Sequence, residues 1–457
     1  MAKRGLKIII VGVGKIGQTL VKLLTKEGHN IVIIDKNEKV AAEIANAYDC
    51  MAVVGNAASH SVLDDAGVMD ADIFISITAS DEFNLLCCTI AKQYNEDLAT
   101  IARVRSPEFA EDSAYLRETL GMAMIVNPEY ETARETARIL FLPTALSINT
   151  FAHGQAELIR IKIPENNLLV GKALGDLSRN ITDGLIIVGV ERDEDVFIPN
   201  GSSRIESGDI ISFVSTRKKT IAFLKAIGFA TRSVSDTLIV GGGTSSYYLS
   251  KELIRSGIDV KIIESDPARC EQLSILVPRA SIINGDGTKE DLLLESGLAH
   301  TESFVPLTGI DEENILLTLY ARSVSDAKVV TKINRISFDK VIDSLDLGSV
   351  VTPRNICAET ILSYVRARQA SLDSNLEVLY RLFGNRAEAM EFTVRERSEI
   401  TGIPLKDLNT KDGVIISFIK RGKDVIIPSG SDTIEVGDSV MVVTTHSGFT
   451  DLTDILG

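Results

Sequence analysis

The chain of 457 residues has no tryptophan, five cysteines, five histidines and fewer positive than negative charges. No apolar run approaches the ~18 residues that a membrane-spanning helix needs. Cys50, Cys87, Cys88, Cys270 and Cys357 include no C-x-x-C pair, and vicinal Cys87-Cys88 on a helix is poor disulfide geometry. This excludes a disulfide framework and fits a reducing cytosol. His29, His60, His153, His300 and His446 stand singly, without HExxH-like spacing, so no built-in zinc site is expected. The 48 Lys+Arg against 63 Asp+Glu give a formal net charge of −15, which repels phosphate backbones and anionic lipid. No nucleic acid is therefore expected as a main partner. Met1 to Gly14 is basic and then apolar, but it is too short and lacks a cleavage site for a signal peptide. It reads as a first strand.

What the sequence does have is a copy of itself. Residues 6–14, LKIIIVGVG, return as DTLIVGGG at 236–243. IVIIDKNEKVAAEI at 31–44 returns as VKIIESDPARCEQL at 260–273, and the stretch 53–86 returns at 282–316. The offset holds at 229–230 residues, from Gly12/Gly241 through Asp35/Glu264 and Thr78/Thr308 to Asn84/Asn314. Such constancy is a tandem duplication, not composition bias.

Each half begins with short β-branched runs alternating with helical stretches. In the first half the runs are 7–11, 31–35, 51–54, 72–77, 99–104 and 122–126, with helices such as 15–27, 38–46 and 129–141. Continuous apolar strands separated by helices predict a doubly wound parallel sheet covered on both faces. A β-rich module follows, starting at 156–164 and again at 391–394, with shared Pro199/Pro428, Gly201/Gly430 and Gly208-Asp209/Gly437-Asp438. The Gly-Asp pairs read as tight turns. The expected fold class is α/β: a duplicated Rossmann-like parallel sheet, each copy followed by a small α+β domain. The expected domains are 1–145, 146–229, 230–373 and 374–457.

The first strand runs into Gly12-Val13-Gly14-Lys15-Ile16-Gly17 and then a helix, with Asp35 closing the second strand. Here G-x-G-x-x-G has the context that gives it meaning. Gly12 makes the turn, Gly14 lets backbone approach a pyrophosphate, and Gly17 packs helix on sheet. The helix N-terminus offers free N–H groups to phosphate. Asp35 suits two ribose hydroxyls and repels a 2′-phosphate, favouring NAD(H) or an adenine nucleotide over NADP(H). The second half has Gly241-Gly242-Gly243-Thr244-Ser245-Ser246, with Ser246 at the third glycine position and the longer Glu264 for Asp35. A second nucleotide site and a vestigial fold kept for assembly both remain open.

Two successive units of G-x-G-x-x-G, an acid, D-A-D-I and T-x-x-D-E-x-N, each followed by I-P-x-G and G-D, resemble tandem RCK domains (regulators of potassium conductance), the TrkA-N plus TrkA-C arrangement. The resemblance covers nearly the whole chain; Ser246 departs from the pattern, and so does Ile333, taken to line up with Arg103. It implies a regulatory protein, not an enzyme, that binds NAD(H), ATP or ADP and gates a Trk-type potassium-translocating membrane protein. It also implies a cytoplasmic location at the inner face of the membrane, through that partner, and a homodimer or homotetramer forming a gating ring. The implied ligand-facing residues are Gly12, Val13, Gly14, Lys15, Ile16, Gly17, Asp35, Asn56, Thr78, Ala79 and Arg103. Their counterparts are Gly241, Gly243, Ser246, Glu264, Asp286 and Thr308. With Ile333 supplying no charge, the second site is expected to be the weaker.

Alternative functions are an NAD-dependent oxidoreductase and an adaptor for another ion channel or antiporter. An oxidoreductase needs an acid or base beside the nicotinamide, and no histidine falls at an expected place. Tyr247 and Lys251 have Y-x-x-x-K spacing but lie on the helix after the glycine loop, far from where that catalytic pair belongs. Asp81-Glu82 and Asp311-Glu312-Glu313 read as helix N-terminal acids complementing the dipole, with a cation or subunit contact as the alternative. Glu191–Asp195 reads as a solvated hairpin, and Cys87 and Cys88 as core. The helices 129–141 and 354–367 carry apolar faces (Ala133, Ala137, Leu140; Ile356, Ile361, Leu362, Val365), whose covering predicts obligatory oligomerisation.

Overall fold

The computed structural model describes residues 5–142, 144–151, 156–177, 184–193, 195–229, 233–334, 345–373, 376–383, 386–422 and 424–457. His153, Glu194 and the expected boundary residues 230 and 374 lie outside them. The chain forms two compact units. One joins the two parallel-sheet lobes, ending at Ala137 and resuming over Ser235–Val365; the other joins the two β-rich modules, Arg138–Val234 and Arg366–Gly457.

The first lobe is built from β1 (Lys7–Val11), β2 (Asn30–Asp35), β3 (Met51–Val54), β4 (Ile73–Ser76), β5 (Ala99–Arg103) and β6 (Met124–Val126). All neighbours are parallel, in the order β3-β2-β1-β4-β5-β6. The helices are α1 (Lys15–Lys26), α2 (Glu38–Tyr48), α3 (His60–Asp65), α4 (Asp81–Tyr94), α5 (Pro107–Glu111), α6 (Ser113–Thr119) and α7 (Pro128–Phe141). Side chains alternate across the sheet: Ile8 and Ile10 pack with Leu20 and Leu24 on one face, while Ile9 and Val11 pack with Phe74, Cys87 and Cys88 on the other.

In the other unit, the first module holds β7 (Ser147–Phe151), β8 (Ala156–Lys162), β9 (Leu185–Arg192), β10 (Asp195–Phe197), β11 (Ile210–Ser215) and α8 (Arg217–Ala226), with sheet order β10-β9-β11-β8-β7.

The second lobe repeats the first with β12 (Asp236–Val240), β13 (Asp259–Glu264), β14 (Ser281–Asn284), β15 (Ser303–Pro306), β16 (Lys328–Lys332) and β17 (Ser349–Val351), in order β14-β13-β12-β15-β16-β17. Its helices are α9 (Thr244–Arg255), α10 (Pro267–Leu276), α11 (Glu290–Glu295), α12 (Asp311–Val324) and α13 (Pro353–Asp373). The second module holds β18 (Leu376–Leu382), β19 (Ala387–Thr393), β20 (Val414–Arg421), β21 (Asp424–Ile426) and β22 (Ser439–Thr444), with the matching order β18-β19-β22-β20-β21. Each module therefore opens one strand earlier than the sequence pattern indicated, at β7 and β18.

Two sequence expectations change here. The apolar face of α13 is not left for another chain: Cys357, Ala358, Ile361, Leu362 and Val365 sit in the core of the first lobe, against Ile8, Ile10 and Leu20. On α7, Ala133, Ala137 and Leu140 are likewise buried within the single chain. The covering of these faces thus gives no reason for oligomerisation. Second, the Gly-Asp landmarks are more than turns. Gly208 and Gly437 do take positive φ, 88° and 94°. The following aspartates are buried and gripped by an arginine fork. Asp209 accepts from Arg192 Nε and Nη2, each at 2.8 Å, and from the Glu206 amide at 2.7 Å. Asp438 accepts from Arg421 Nε at 2.9 Å and Nη2 at 2.7 Å, and from the Glu435 amide at 2.8 Å.

Bidentate arginine–carboxylate pairs are among the strong polar contacts. Breaking one on the buried side strands the remaining donors, but Arg421 is half exposed and recovers part of its hydration. Asp438→Ala is therefore expected to cost about 2–3 kcal/mol, read as a lowered urea midpoint; an unchanged midpoint would show the fork to be ornamental.

Candidate functional site

In the first lobe, sheet order reverses between β1 and β4, the place where open α/β sheets bind ligands. The glycine loop leaves β1 at this point. Gly12 has φ 87°, which favours glycine, and a Cβ there would come within 3.1 Å of the Thr78 backbone. A Cβ on Gly17 would lie 2.3 Å from the Gly12 carbonyl oxygen, so the helix sits on the loop with no room for a side chain. Above Gly14 there is open space. Gly14 caps α1 without a side-chain hydrogen bond, and no acid stands in the first turn. The N-terminal amides of α1 thus face an open cradle, the arrangement that receives phosphate.

Asp35 has a structural task as well as its expected one. One carboxylate oxygen accepts from the Val13 amide at 2.9 Å, the other from the Asn37 amide at 2.9 Å. It thereby ties the end of β2 to the glycine loop. Lys15 and Asn56 are exposed, and Ile16 packs partly against the core. Asn56 Oδ1 accepts from the Ala58 amide at 3.2 Å.

Thr78, Ala79 and Arg103 converge through a residue that the sequence reading quoted only as part of a motif. Asn84, buried in the first turn of α4, accepts from the Thr78 amide at 2.8 Å and the Thr78 hydroxyl at 2.7 Å. Its own amide donates to the carbonyls of Thr78 and of Arg103, the latter at 2.9 Å. Arg103 Nη2 donates to the Thr78 carbonyl at 2.7 Å, and Arg105 Nη2 to that of Ala79. Burial and the nearby Arg105 charge pull Arg103 below the usual arginine range. Asp81 corrects the helix-dipole reading: it accepts from the Arg105 and Ser106 amides, both at 2.8 Å. The cap of α4 is instead Ser80, accepting from the Phe83 amide at 3.1 Å.

The second lobe reproduces this set nearly bond for bond. Glu264 accepts from the Gly242 amide at 2.6 Å and the Asp266 amide at 2.8 Å, so its extra methylene is absorbed. Asn314 accepts from the Thr308 amide and hydroxyl, each at 2.9 Å, and donates to the Lys332 carbonyl at 3.0 Å. Asp311 accepts from the Asn334 amide at 2.8 Å. Above Gly243 the space is open. Asp286 Oδ1 accepts from the Thr288 hydroxyl at 2.7 Å and amide at 3.0 Å, which together hold its carboxyl below the ordinary aspartate value. A cavity of about 610 Å³ is lined by Gly241, Gly243, Glu264, Asp286, Thr308 and Lys332, among others.

These bonds overturn the two arguments for a weaker second site. Asn84 grips Arg103, the last residue of β5; Asn314 grips Lys332, the last residue of β16. Lys332, not Ile333, is therefore the counterpart of Arg103. The connection from α4 to β5 has one residue more than that from α12 to β16, which shifts the repeat offset by one. Lys332 Nζ donates to the Leu307 carbonyl at 3.1 Å, as Arg103 does to Thr78, whereas Ile333 is fully buried. Ser246 is buried too, and its hydroxyl donates to the Gly241 carbonyl. That carbonyl corresponds to the oxygen that excludes a side chain at Gly17. The Y-x-x-x-K pair is a helix-surface contact: Lys251 Nζ donates to Tyr247 Oη at 3.0 Å, one turn apart on α9.

Twin doubly wound lobes, each with an open glycine cradle, and twin antiparallel modules define a tandem RCK-type protein. The TrkA-N domain model matches residues 8–128 and 237–353, and the TrkA-C domain model matches 158–228 and 389–457. The chain belongs to this TrkA family. It is similar to the Trk system potassium uptake protein TrkA homolog 1 of Methanosarcina mazei, 29% identical over 98% of this chain and 99% of the relative. It is also similar to the TrkA homolog of Archaeoglobus fulgidus, 30% identical over 96% of this chain and 97% of the relative. Among solved structures, the GsuK channel bound to NAD shares the fold, with a TM-score of 0.64 at 18% identity, over 97% of this chain and 77% of that one. No described helix is long and apolar enough to cross a membrane.

The glycines separate by what surrounds them. Gly14→Val is expected to leave stability within about 1 kcal/mol, while Gly17→Val, driven into the Gly12 carbonyl, costs about 3 kcal/mol. Thermal unfolding of both variants checks this, and equal melting temperatures would refute it.

Proposed function

We propose that the chain is the regulatory subunit of a Trk-type potassium transporter, binding NAD(H), ATP or ADP in both lobes and gating a separate membrane protein. The observation that carries this reading is the pair of open helix N-termini above Gly14 and Gly243, each with a carboxylate, Asp35 or Glu264, one strand away. The names of the relatives and the NAD held by the GsuK channel support it. The pyrophosphate would lie on residues 12–17 or 241–246, the ribose hydroxyls on Asp35 or Glu264, and the phosphate charge toward Arg103 or Lys332. Asn56, Thr78, Asp286 and Thr308 line the rims. We propose domain limits of 1–145, 146–229, 230–373 and 374–457, a regulatory role without catalysis, and a cytoplasmic position against the membrane partner.

Gating requires a nucleotide to favour one conformation over another, and a difference of ~1–3 kcal/mol suffices. Potassium flux with the membrane subunit, with and without ATP, ADP or NADH, tests this. Since the two sites carry matching groups, Gly14→Val and Gly243→Val are each expected to reduce the nucleotide response substantially. Full regulation in both variants would sink the proposal. Asp35→Asn keeps the shape of the loop clasp but removes charge; it should narrow the preference for NADH over NADPH in calorimetry. Equal NADH and NADPH affinity in the wild type would refute the ribose assignment.

Assembly into a dimer or tetramer is proposed through α4 and α12, where the equivalent Leu86 and Leu316 are 50% and 67% exposed. Leu86→Asp combined with Leu316→Asp should give a monomer by light scattering. An unchanged mass would place assembly on another surface.

A further inference from the structure

Glu129 opens α7, three residues beyond Val126, which pairs with Arg103 across the sheet. Its Oε2 is buried without a hydrogen-bond partner, and so is the Nε of Arg103. The residues around it reach the second lobe. Asn127 Nδ2 donates to Tyr248 Oη at 3.0 Å, and Tyr248 Oη donates to the Arg105 carbonyl at 3.0 Å. The rings of Tyr130 and Tyr248 meet edge to face at 5.4 Å. A buried carboxylate is thus held at the seam between two lobes of one compact unit. The charged groups facing it in its own lobe are Arg103, Arg105 and Asp81. From the second lobe, Lys332 feels it too: burial draws Lys332 below the ordinary lysine value, and the carboxylates of Asp311 and Glu129 oppose that. Burial lifts Glu129 itself above the usual glutamate range, against the pull of Arg103 and Arg105.

We propose that Glu129 links the two nucleotide sites, acting as a shared counter-charge for Arg103 of the first lobe and Lys332 of the second. The link rests on the nucleotide reading given above. A phosphate that engages Arg103 displaces Glu129 from it, leaving the carboxylate to Lys332. The second phosphate then meets a cation already neutralised. The second nucleotide therefore binds more weakly than the first, and by linkage the effect is reciprocal. Duplication has not copied the device: the residue at the corresponding start of α13 is Arg354.

The test uses the full chain and calorimetric titration with ADP. Gly14→Val and Gly243→Val leave one working site each and report each site's affinity alone. In the wild type the second ADP is expected to bind ~5-fold or more weakly than the corresponding isolated site. In Glu129→Gln, which keeps shape and removes charge, both affinities should rise, and the gap between first and second ADP should close to within about 2-fold. Lys332→Met should abolish the coupling while leaving the first site sensitive to Glu129→Gln. If wild type and Glu129→Gln, both folded by circular dichroism, show the same affinities and the same gap, the link is wrong while the nucleotide reading stands. If the wild type binds no ADP, NADH or ATP, the nucleotide reading fails and takes the link with it.

Discussion

The seating of α13 in the core of the first lobe is the contact on which the rest depends. Ile361, Leu362 and Val365 are fully buried there. Burying side chains of this kind contributes about 1.5–3 kcal/mol each, so the three together offer roughly 5–9 kcal/mol, comparable to the whole stability of a small domain. A lobe that receives its last helix from elsewhere in the chain cannot act alone. This makes the two lobes one compact unit despite the module of some ninety residues between them. It also brings Tyr248 of the second lobe against Asn127 and Tyr130 of the first.

The fold was largely legible in the sequence because its signals are local and repeated. Period, glycine placement and the duplicated order each point to the same doubly wound lobe, and agreement between levels is what makes a reading reliable. The strands and helices of the first lobe fall within two residues or so of their expected limits. The strands β7 and β18 were missed, since their patterns are short and lie beside the ends of α7 and α13. The covering of the terminal helices was missed for a different reason. An amphipathic face shows in sequence that it must be buried, but not by what, and a second copy of the lobe in the same chain is chemically indistinguishable from a second chain.

The candidate site was legible in its loops and not in its clasp. Gly12, Gly14, Gly17 and Asp35 belong to a spacing with a known mechanical reason. Asn84 and Asn314 stood in the quoted D-E-x-N stretch, but nothing in one sequence shows that an asparagine binds the strand end across from its helix. That bond fixes the register of the cation. Without it a one-residue difference in the connection after α4 made Ile333 look like the counterpart of Arg103, and a cationic site was mistaken for an apolar one. Ser246 misled similarly. A serine hydroxyl at a crowded glycine position can bond the very carbonyl that crowds it, so the substitution keeps the helix on its loop.

Fusing two copies into one chain changes what the copies are free to become. In a pair of identical chains every substitution appears twice, so a single carboxylate at the seam has a twin of the same sign facing the matching cation. Here the corresponding positions carry Glu129 and Arg354, and the cations are Arg103 and Lys332. The seam therefore holds one buried acid rather than two, and avoids the mutual repulsion of a close carboxylate pair. It costs less to keep one such group charged between two cations than to bury two. A seam built this way has no symmetric resting state, so a ligand arriving at one lobe meets surroundings that the other lobe does not share. Duplication followed by divergence at a few positions around a common clasp is enough to give a tandem pair an order of response that a symmetric dimer must acquire by breaking its own symmetry.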